Sequence, residues 1–534
     1  MTVIWKSSDD LLSTVGFGLR GTSDRFSKHN HNKDYRNAQS NTEKRVNNTD
    51  FSEHTLVTGF KPIRDRYLIN SFGRMTAPIL QMFPELEGYT AAVPSKRDLQ
   101  ALMKALQGEL ITAVVEGHQG LVGLICKEFL KAIKVMMTKI EGMVINTAET
   151  RKISSQNNFQ RTSQQEHNSQ LFVLLLQFKE ALQKIPQQVL KSASENANNS
   201  NNATIDSNIL QEMERAVTTA TNSIDELANK QILDSIVALL SGYIKSVLTS
   251  LHKEGVTSLN TTKNNPNSTE DCSAAVLTLS KQVPIMLKSY ITACLPKCDI
   301  VDKAVEEICI RLMNLYVSIA SLCRPMSEAL RLRTAKDMST IEVFLSSIYT
   351  IPNPQNCPVC LEFRAFRRLL FMDGATTTGK EKVKSFSATV PPSRALLMQL
   401  PYVLNLRPST ILGYLISCAP SQLPSPYDLE DNTLMLYLSE LTDVMIDGKD
   451  LPVDINSHIY TVRSLYSIVT NNNNQSLGSW SKVENEIKAW ALIQQSLDIF
   501  FQRLSVAEGN QKQQMRAWYE AMIDIGTQYF GIMR

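Results

Sequence analysis

Apolar positions recur along most of the chain at helical spacing. Val301, Val305, Ile308, Leu312, Leu315, Ile319 and Leu322 step by four and three residues in turn, which lines one side of a continuous helix. Ile232, Ile236, Leu239, Tyr243, Val247 and Leu251 predict a second stripe of the same kind. Ala489, Leu492, Leu497, Phe500, Phe501 and Leu504 predict a third, opened by Ser481 as N-cap with Glu484 at the capping-box position. No stretch of comparable length alternates apolar and polar residues with period two, so the pattern predicts an all-α fold. Polar breaks rich in Asn, Ser, Thr and Gly fall at 150–168, 191–204, 257–271, 373–392 and 471–478 and read as surface loops. Residues 22–54 carry almost no apolar periodicity, and 1–59 reads as a disordered leader. No fixed repeat length emerges. Irregular helical bundles are therefore expected at 60–190, 205–350 and 361–534, with a boundary where Pro352, Pro354 and Pro358 end a helical stretch.

Composition narrows the function classes. The chain has 534 residues with 21 glycines and 20 prolines. That is about 8% where roughly 12% is usual, as befits long helices rather than a loop-rich β fold. A formal net charge of +3 supplies no global field to hold nucleic acid or an anionic membrane. Nine scattered cysteines make no dense disulfide framework, and several sit in apolar helical stretches, which favours a reducing, cytosolic setting. In that setting the Asn-x-Ser/Thr sequons, as at Asn47 and Asn202, are incidental. The N-terminal residues lack the order of a signal peptide, and uninterrupted apolar runs such as 171–176 fall far short of the ~18 residues that span a bilayer.

Candidate chemistry is sparse. Gly374 to Lys380 matches the phosphate-loop spacing G-x-x-x-x-G-K, the basis of an alternative reading as a nucleotide-binding helical protein. Glu381 stands where the Mg²⁺-binding hydroxyl belongs, and Pro391 and Pro392 leave no room for the helix whose N-terminus would hold the phosphate. The segment reads as a polar loop. Cys357 and Cys360 form a C-x-x-C pair, with Cys294 and Cys298 as its conceivable complement, but no βαβ context or nearby His supports redox or zinc chemistry. His29 and His31 fall in the leader, and the other five histidines are isolated. No catalytic, cofactor-binding or metal-binding residue is assigned, and the chain is expected to be non-enzymatic and without a cofactor. Basic residues cluster at Arg324, Arg331, Arg333 and Lys336, and again at Arg364, Arg367 and Arg368. The first cluster is the candidate partner-binding surface. No aromatic residues interleave with it, which argues against nucleic acid.

Several segments also resemble the subunit-five family of the conserved oligomeric Golgi complex, a vesicle-tethering assembly. RDRYLINSFGRMTAPILQMFP at 64–84, followed by PSKRDLQALMKALQGEL at 94–110, is similar to that family's helix closing on F-P before a second helix begins. The strongest likeness, at 315–345, keeps Ala320, Ser321, Leu322, Arg324 and Pro325, then the run from Arg331 to Met338. FRAFRRLLF at 363–371, with Arg368 where the family tends to have proline, and 400–429 continue it in order. The resemblance implies an elongated rod of stacked helical bundles, peripheral on the cytosolic face of Golgi membranes. It implies partnership with other subunits of that complex, six, seven and eight foremost, in capturing retrograde intra-Golgi vesicles. A related exocyst-type tether would share the architecture. The 301–345 stretch is expected to form a central spine kinked at Pro325. Residues 1–59 show no heptads of the kind expected of the family's N-terminal assembly region, so the chain reads as truncated.

Overall fold

A computed structural model describes residues 49–84, 92–115, 119–153, 159–197, 207–253, 272–371, 391, 397, 400–426, 428–429 and 483–530. Every regular element among them is helical. In chain order these are α1 (Thr49–Met82), α2 (Lys96–Val115), α3 (Gln119–Met143), α4 (Ser163–Ala197), α5 (Ser207–Leu227), α6 (Asp234–Leu248), α7 (Ala274–Leu287), α8 (Asp299–Ala320), α9 (Glu328–Ile348), α10 (Pro358–Leu370), α11 (Pro408–Cys418), α12 (Val483–Val506) and α13 (Gly509–Phe530). Residues 1–64 and 65–534 form separate units. Among described residues the first holds the opening turns of α1, which begins at Thr49, inside the segment read as a leader; residues 1–48 lie outside the description. Everything below belongs to the second unit.

Helix α2 buries Leu99, Leu102, Leu106, Leu110 and Ala113, the three-four spacing of one helical face. It packs on α3 and α4, while α5 packs on α3 and α4 in turn. Within the α2 stripe, Glu109 is buried beside α1, where it accepts bonds from Ser71 Oγ at 2.7 Å and Arg74 Nη2 at 2.9 Å. Burial opposes its charge, but the Arg74 and Ser71 bonds prevail and hold Glu109 below the ordinary carboxylate range.

The break expected at 150–168 is partly helical, since α4 begins at Ser163. Its polar residues turn inward. Gln165 Nε2 donates to the carbonyls of Thr150 and Lys152, and Asn168 bonds both the N–H and the carbonyl of Ile145. These amides satisfy a turn that would otherwise bury unpaired backbone.

Helix α5 runs through a π-helical segment, Ala228–Leu233, into α6. The expected 232–251 stripe is buried at its two ends, Ile232 and Leu251, and turned part-way outward between them. Leu233, Val237, Leu240, Ile244 and Leu248 are buried, while Ile236, Leu239, Tyr243 and Val247 are only half-buried. By length and hydropathy Ser207–Lys253 is long and apolar enough to cross a membrane. Here α5 lies against α3 and α4, and α6 against α7 and α8.

The 301–322 stripe is buried along its whole length. It belongs to α8, which packs on α6, α10, α11 and α9. Pro325 does not kink this helix, as the sequence reading expected. It lies in a break between α8 and α9, after a cis Arg324–Pro325 bond, and Ser327 N-caps α9 by accepting from Leu330 N. Pro358 stands at the first turn of α10, where its missing N–H costs nothing. Although prolines separate α9 from α10, α10 packs back on α8 and α9, so the core continues across them. The short helix α11 is buried on all sides, and Gly413 permits its approach to α8: a Cβ there would stand 2.7 Å from Ser321 Oγ. Gly526 of α13 faces the Trp490 ring of α12, 2.1 Å from where its Cβ would be. Of the third stripe, Phe501 turns outward and stacks on Tyr519, with ring centroids 5.2 Å apart. Ser481 lies outside the described residues.

Candidate partner-binding surface

The four basic residues singled out at 324–336 share one stretch of chain but not one surface. Arg324 points inward. Its Nη1 donates to the Leu423 carbonyl at 2.6 Å and its Nη2 to that of Pro420 at 2.9 Å, with Asp428 Oδ2 at 3.3 Å. Burial lowers its pKa against the pull of Asp428. It therefore clamps the turn after α11, and its place in the A-S-L-x-R-P sequence is explained by internal bonding. Arg331 is half-buried and lies near the Cys418 thiol at the end of α11. Arg333 is half-buried too, lining a cavity of about 10 Å³ with Tyr316, Ser273 and Asp337. That is room for about one water. Lys336 is exposed.

Asp337 is the buried carboxylate that lines that cavity. It accepts from Ser273 N at 2.7 Å, tying α9 to the first turn of α7, and from Tyr316 Oη of α8 at 3.2 Å. Burial pushes its carboxyl up to about 6, outweighing the Ser273 and Tyr316 bonds and the Arg333 charge.

The second basic run, on α10, divides by face. Arg364 and Arg368 are exposed, and Arg367 reaches Glu342 of α9 at 2.8 Å. On the inner face, Glu362 accepts from Arg407 Nε at 2.7 Å and from Thr410 Oγ1, while Arg407 Nη2 donates to Ser318 at 3.1 Å. From α12, Glu486 accepts the Ser409 N–H at 2.9 Å and its hydroxyl at 2.8 Å. Carboxylates from two other helices thus meet the positive N-terminus of α11, the end of a helix where anions are favoured. Sequence reasoning missed this network. Its available signal was Glu362 one turn before Phe366 in an otherwise apolar stripe.

Cys360 is buried, and burial first and the neighbouring Cys357 second push its thiol up to about 12, far from a reactive thiolate. None of the nine cysteines forms a disulfide. Among the described residues no three His, Cys, Asp or Glu side chains are grouped to hold a metal ion. A cleft of about 420 Å³ lies between Lys96, Arg161, Glu166 and Cys294, but charges of both signs face it. The 374–380 loop lies outside the described residues.

What remains among the described residues is a set of helices whose buried charges serve their own packing, with Lys336 of α9 and Arg364 and Arg368 of α10 facing outward. The sequence is similar to a Golgi-complex subunit. It is 24% identical over 377 residues to conserved oligomeric Golgi complex subunit 5 of Mus musculus. The match covers 70% of this chain and 39% of the relative, so the chain spans about two fifths of the length of the curated protein it matches. No protein-family model matches the chain. No solved structure matches it.

Proposed function

We propose that this chain is a non-enzymatic subunit of a conserved oligomeric Golgi-type tethering complex. The observation that carries the reading is the similarity to subunit 5 over 70% of the chain, in a protein whose described elements are all helical. On this reading the chain lies at the cytosolic face of Golgi membranes, bound there through sister subunits, six, seven and eight foremost. It helps the assembly capture retrograde transport vesicles. The physical logic is multivalency: several modest protein contacts, linked through one scaffold, hold a vesicle without any reactive site. Of the basic cluster, exposed Lys336 and half-buried Arg333 are the members we propose for a partner contact, whereas Arg324 is engaged by the Pro420 and Leu423 carbonyls.

Affinity capture of the tagged full chain from its source cells, with mass spectrometry of the co-purifying chains, tests the proposal. Stoichiometric recovery of Golgi-complex subunits is the expected result. Recovery of exocyst-type subunits, or of no tethering subunit, would sink it. Arg333→Ala with Lys336→Ala should reduce the recovery, whereas an unchanged yield would remove these residues from the contact.

A further inference from the structure

Two cysteine thiols meet at the start of α10. Cys357 is the N-cap, in extended backbone, and Pro358 opens the helix, so Cys360 falls at the third helical position. Side chains at the N-cap and the third position face each other across a first turn. The same spacing shows its reach at α2, where Ser95 Oγ at the N-cap donates to Asp98 Oδ2 at 2.7 Å. At α10 the corresponding contact is thiol to thiol, with Cys360 hydrogen-bonded to Cys357. Three steps along a helical turn separate Cα atoms by roughly 5 Å, inside the roughly 4.4–6.8 Å that a disulfide requires. The backbone is fixed on both sides of Cys357. Asn356 N–H donates to the Asn353 carbonyl at 2.9 Å before it, and Leu361 N–H donates to the Cys357 carbonyl at 3.0 Å after it. A bridge here asks for side-chain rotation rather than backbone movement. The two thiols also differ in access, Cys357 being half-buried and Cys360 6% exposed. Other cysteines are placed differently: Cys126, Cys309 and Cys323 are buried, Cys272 lies 3.0 Å from Thr340 Oγ1, and Cys294 donates to the Tyr290 carbonyl at 2.8 Å.

We infer that Cys357 and Cys360 form a reversible thiol–disulfide modification site at the head of α10, whose co-reactant is a small disulfide such as oxidised glutathione. Cys357, the accessible one, attacks as its thiolate on one sulfur of the oxidant. That S–S bond breaks, one glutathione leaves as a thiolate, and a mixed disulfide remains on Cys357. Cys360 then gives up its proton, attacks the Cys357 sulfur and expels the second glutathione. Two protein thiols are oxidised by two electrons, the oxidant is reduced to two glutathione thiols, and the two cysteine protons end on them. Burial keeps Cys360 protonated until the mixed disulfide stands beside it, so the buried thiol closes the bridge and does not start it. Excess reduced glutathione runs both steps backwards. In a reducing compartment the pair therefore rests as a dithiol and bridges only as the oxidised pool grows, the behaviour of a redox-sensing disulfide. The βαβ context wanting in the sequence belongs to thioredoxin-like enzymes. An intrachain bridge needs only two thiols held side by side. The inference stands independently of the tether-subunit proposal.

The test uses the purified full chain, reduced and then equilibrated with mixtures of reduced and oxidised glutathione. Samples are quenched with an alkylating agent and mapped by mass spectrometry. As the oxidised share rises, a bridge between residues 357 and 360 should come to occupy most molecules while circular dichroism keeps the parent helical signal, and excess reduced glutathione should remove it. In the reduced chain Cys357 should alkylate about tenfold faster than Cys360. Cys360→Ala should stop at the mixed disulfide on Cys357, and Cys357→Ala should leave Cys360 reduced. Phenylarsine oxide, which bridges neighbouring thiols, should protect Cys357 and Cys360 together from alkylation in the parent, a readout that needs no variant. A lasting mixed disulfide on Cys357 in the parent overturns the inference, since Cys360 then fails to reach it. So does a bridge from Cys357 to a different cysteine or to a second chain, a bridge that forms only in urea, or the absence of joint protection by the arsenical.

Discussion

Replacing Arg407 by alanine should unfold the α10–α11–α12 region ahead of the rest. Arg407 is 9% exposed, and the carboxylates it faces, Glu362 and Glu486, are 3% and 6% exposed. The substitution removes two Nε contacts to Glu362, at 2.9 and 2.7 Å, and the cation 3.9 Å from Glu486. Breaking a buried pair from one side costs about 3–5 kcal/mol, because the surviving charge is left without compensation. Glu362 keeps the Thr410 hydroxyl and Glu486 keeps both Ser409 bonds, so the lower end of that range, about 3 kcal/mol, is expected. For a cooperative unit of about 150–250 residues this lowers the melting midpoint by roughly 6–12 °C. Trp490, buried in α12, gives a local fluorescence readout beside the global helical signal from circular dichroism. A pH arm sharpens the test. Burial already raises the Glu486 pKa, with Arg407 opposing; without the arginine it rises further, so the native variant takes up a proton more readily than its unfolded chain. The stability gap between parent and variant should therefore narrow as pH falls from 7.5 to 5. Glu362→Gln combined with Arg407→Met should be more stable than Arg407→Ala alone, because the uncompensated charge is gone. A loss below about 1 kcal/mol, a gap indifferent to pH, or a double variant no better than the single one would refute the reasoning.

Asp337→Asn tests the buried acid of α9. With its pKa raised to about 6, native Asp337 holds a proton that the unfolded chain releases near its ordinary 3.8. Parent stability should fall by about 2–3 kcal/mol as pH rises between those values and stay level above, and the Asn variant should lack that slope in urea melts. Gly526→Ala would place a methyl 2.1 Å from the Trp490 ring, and Gly413→Ala would place one 2.7 Å from Ser321 Oγ. Each should destabilise by about 1–3 kcal/mol through overpacking, with an altered Trp490 emission for the first alone. Adding Mg²⁺ with ATP or GTP should leave the melting temperature unchanged in both the parent and Lys380→Ala. A nucleotide-dependent rise lost in Lys380→Ala would revive the phosphate-loop reading.

Much of this was legible in the chain, for a reason that varies by element. The α8 stripe is read correctly because a helix enclosed by several neighbours buries whatever its 3.6-residue period aligns. The α6 stripe is only partly right: Ile232 and Leu251 are buried, but between them the buried face lies one residue over, at Leu233, Val237, Leu240, Ile244 and Leu248, because packing against α7 and α8 selects the face and apolar spacing alone does not. Gln165 and Asn168 look like loop residues because composition registers polarity and not the backbone groups that the polarity serves. In the basic cluster, spacing alone could not separate Arg324, spent on carbonyls of Pro420 and Leu423 almost a hundred positions away, from Lys336, which faces outward.

Taken by itself, the sequence determined what local periodicity can carry: the helical class of the described elements, and where some of them begin, as at Pro358. The likeness to a Golgi-complex subunit was also present in the order of its short blocks. Only the tertiary structure decided where each charge lies. Whether an arginine clamps a turn, neutralises a buried carboxylate or waits at the surface depends on groups far away in the chain. Those groups meet only when the helices pack, and the cost of leaving a charge unpaired arises only once water has been excluded around it.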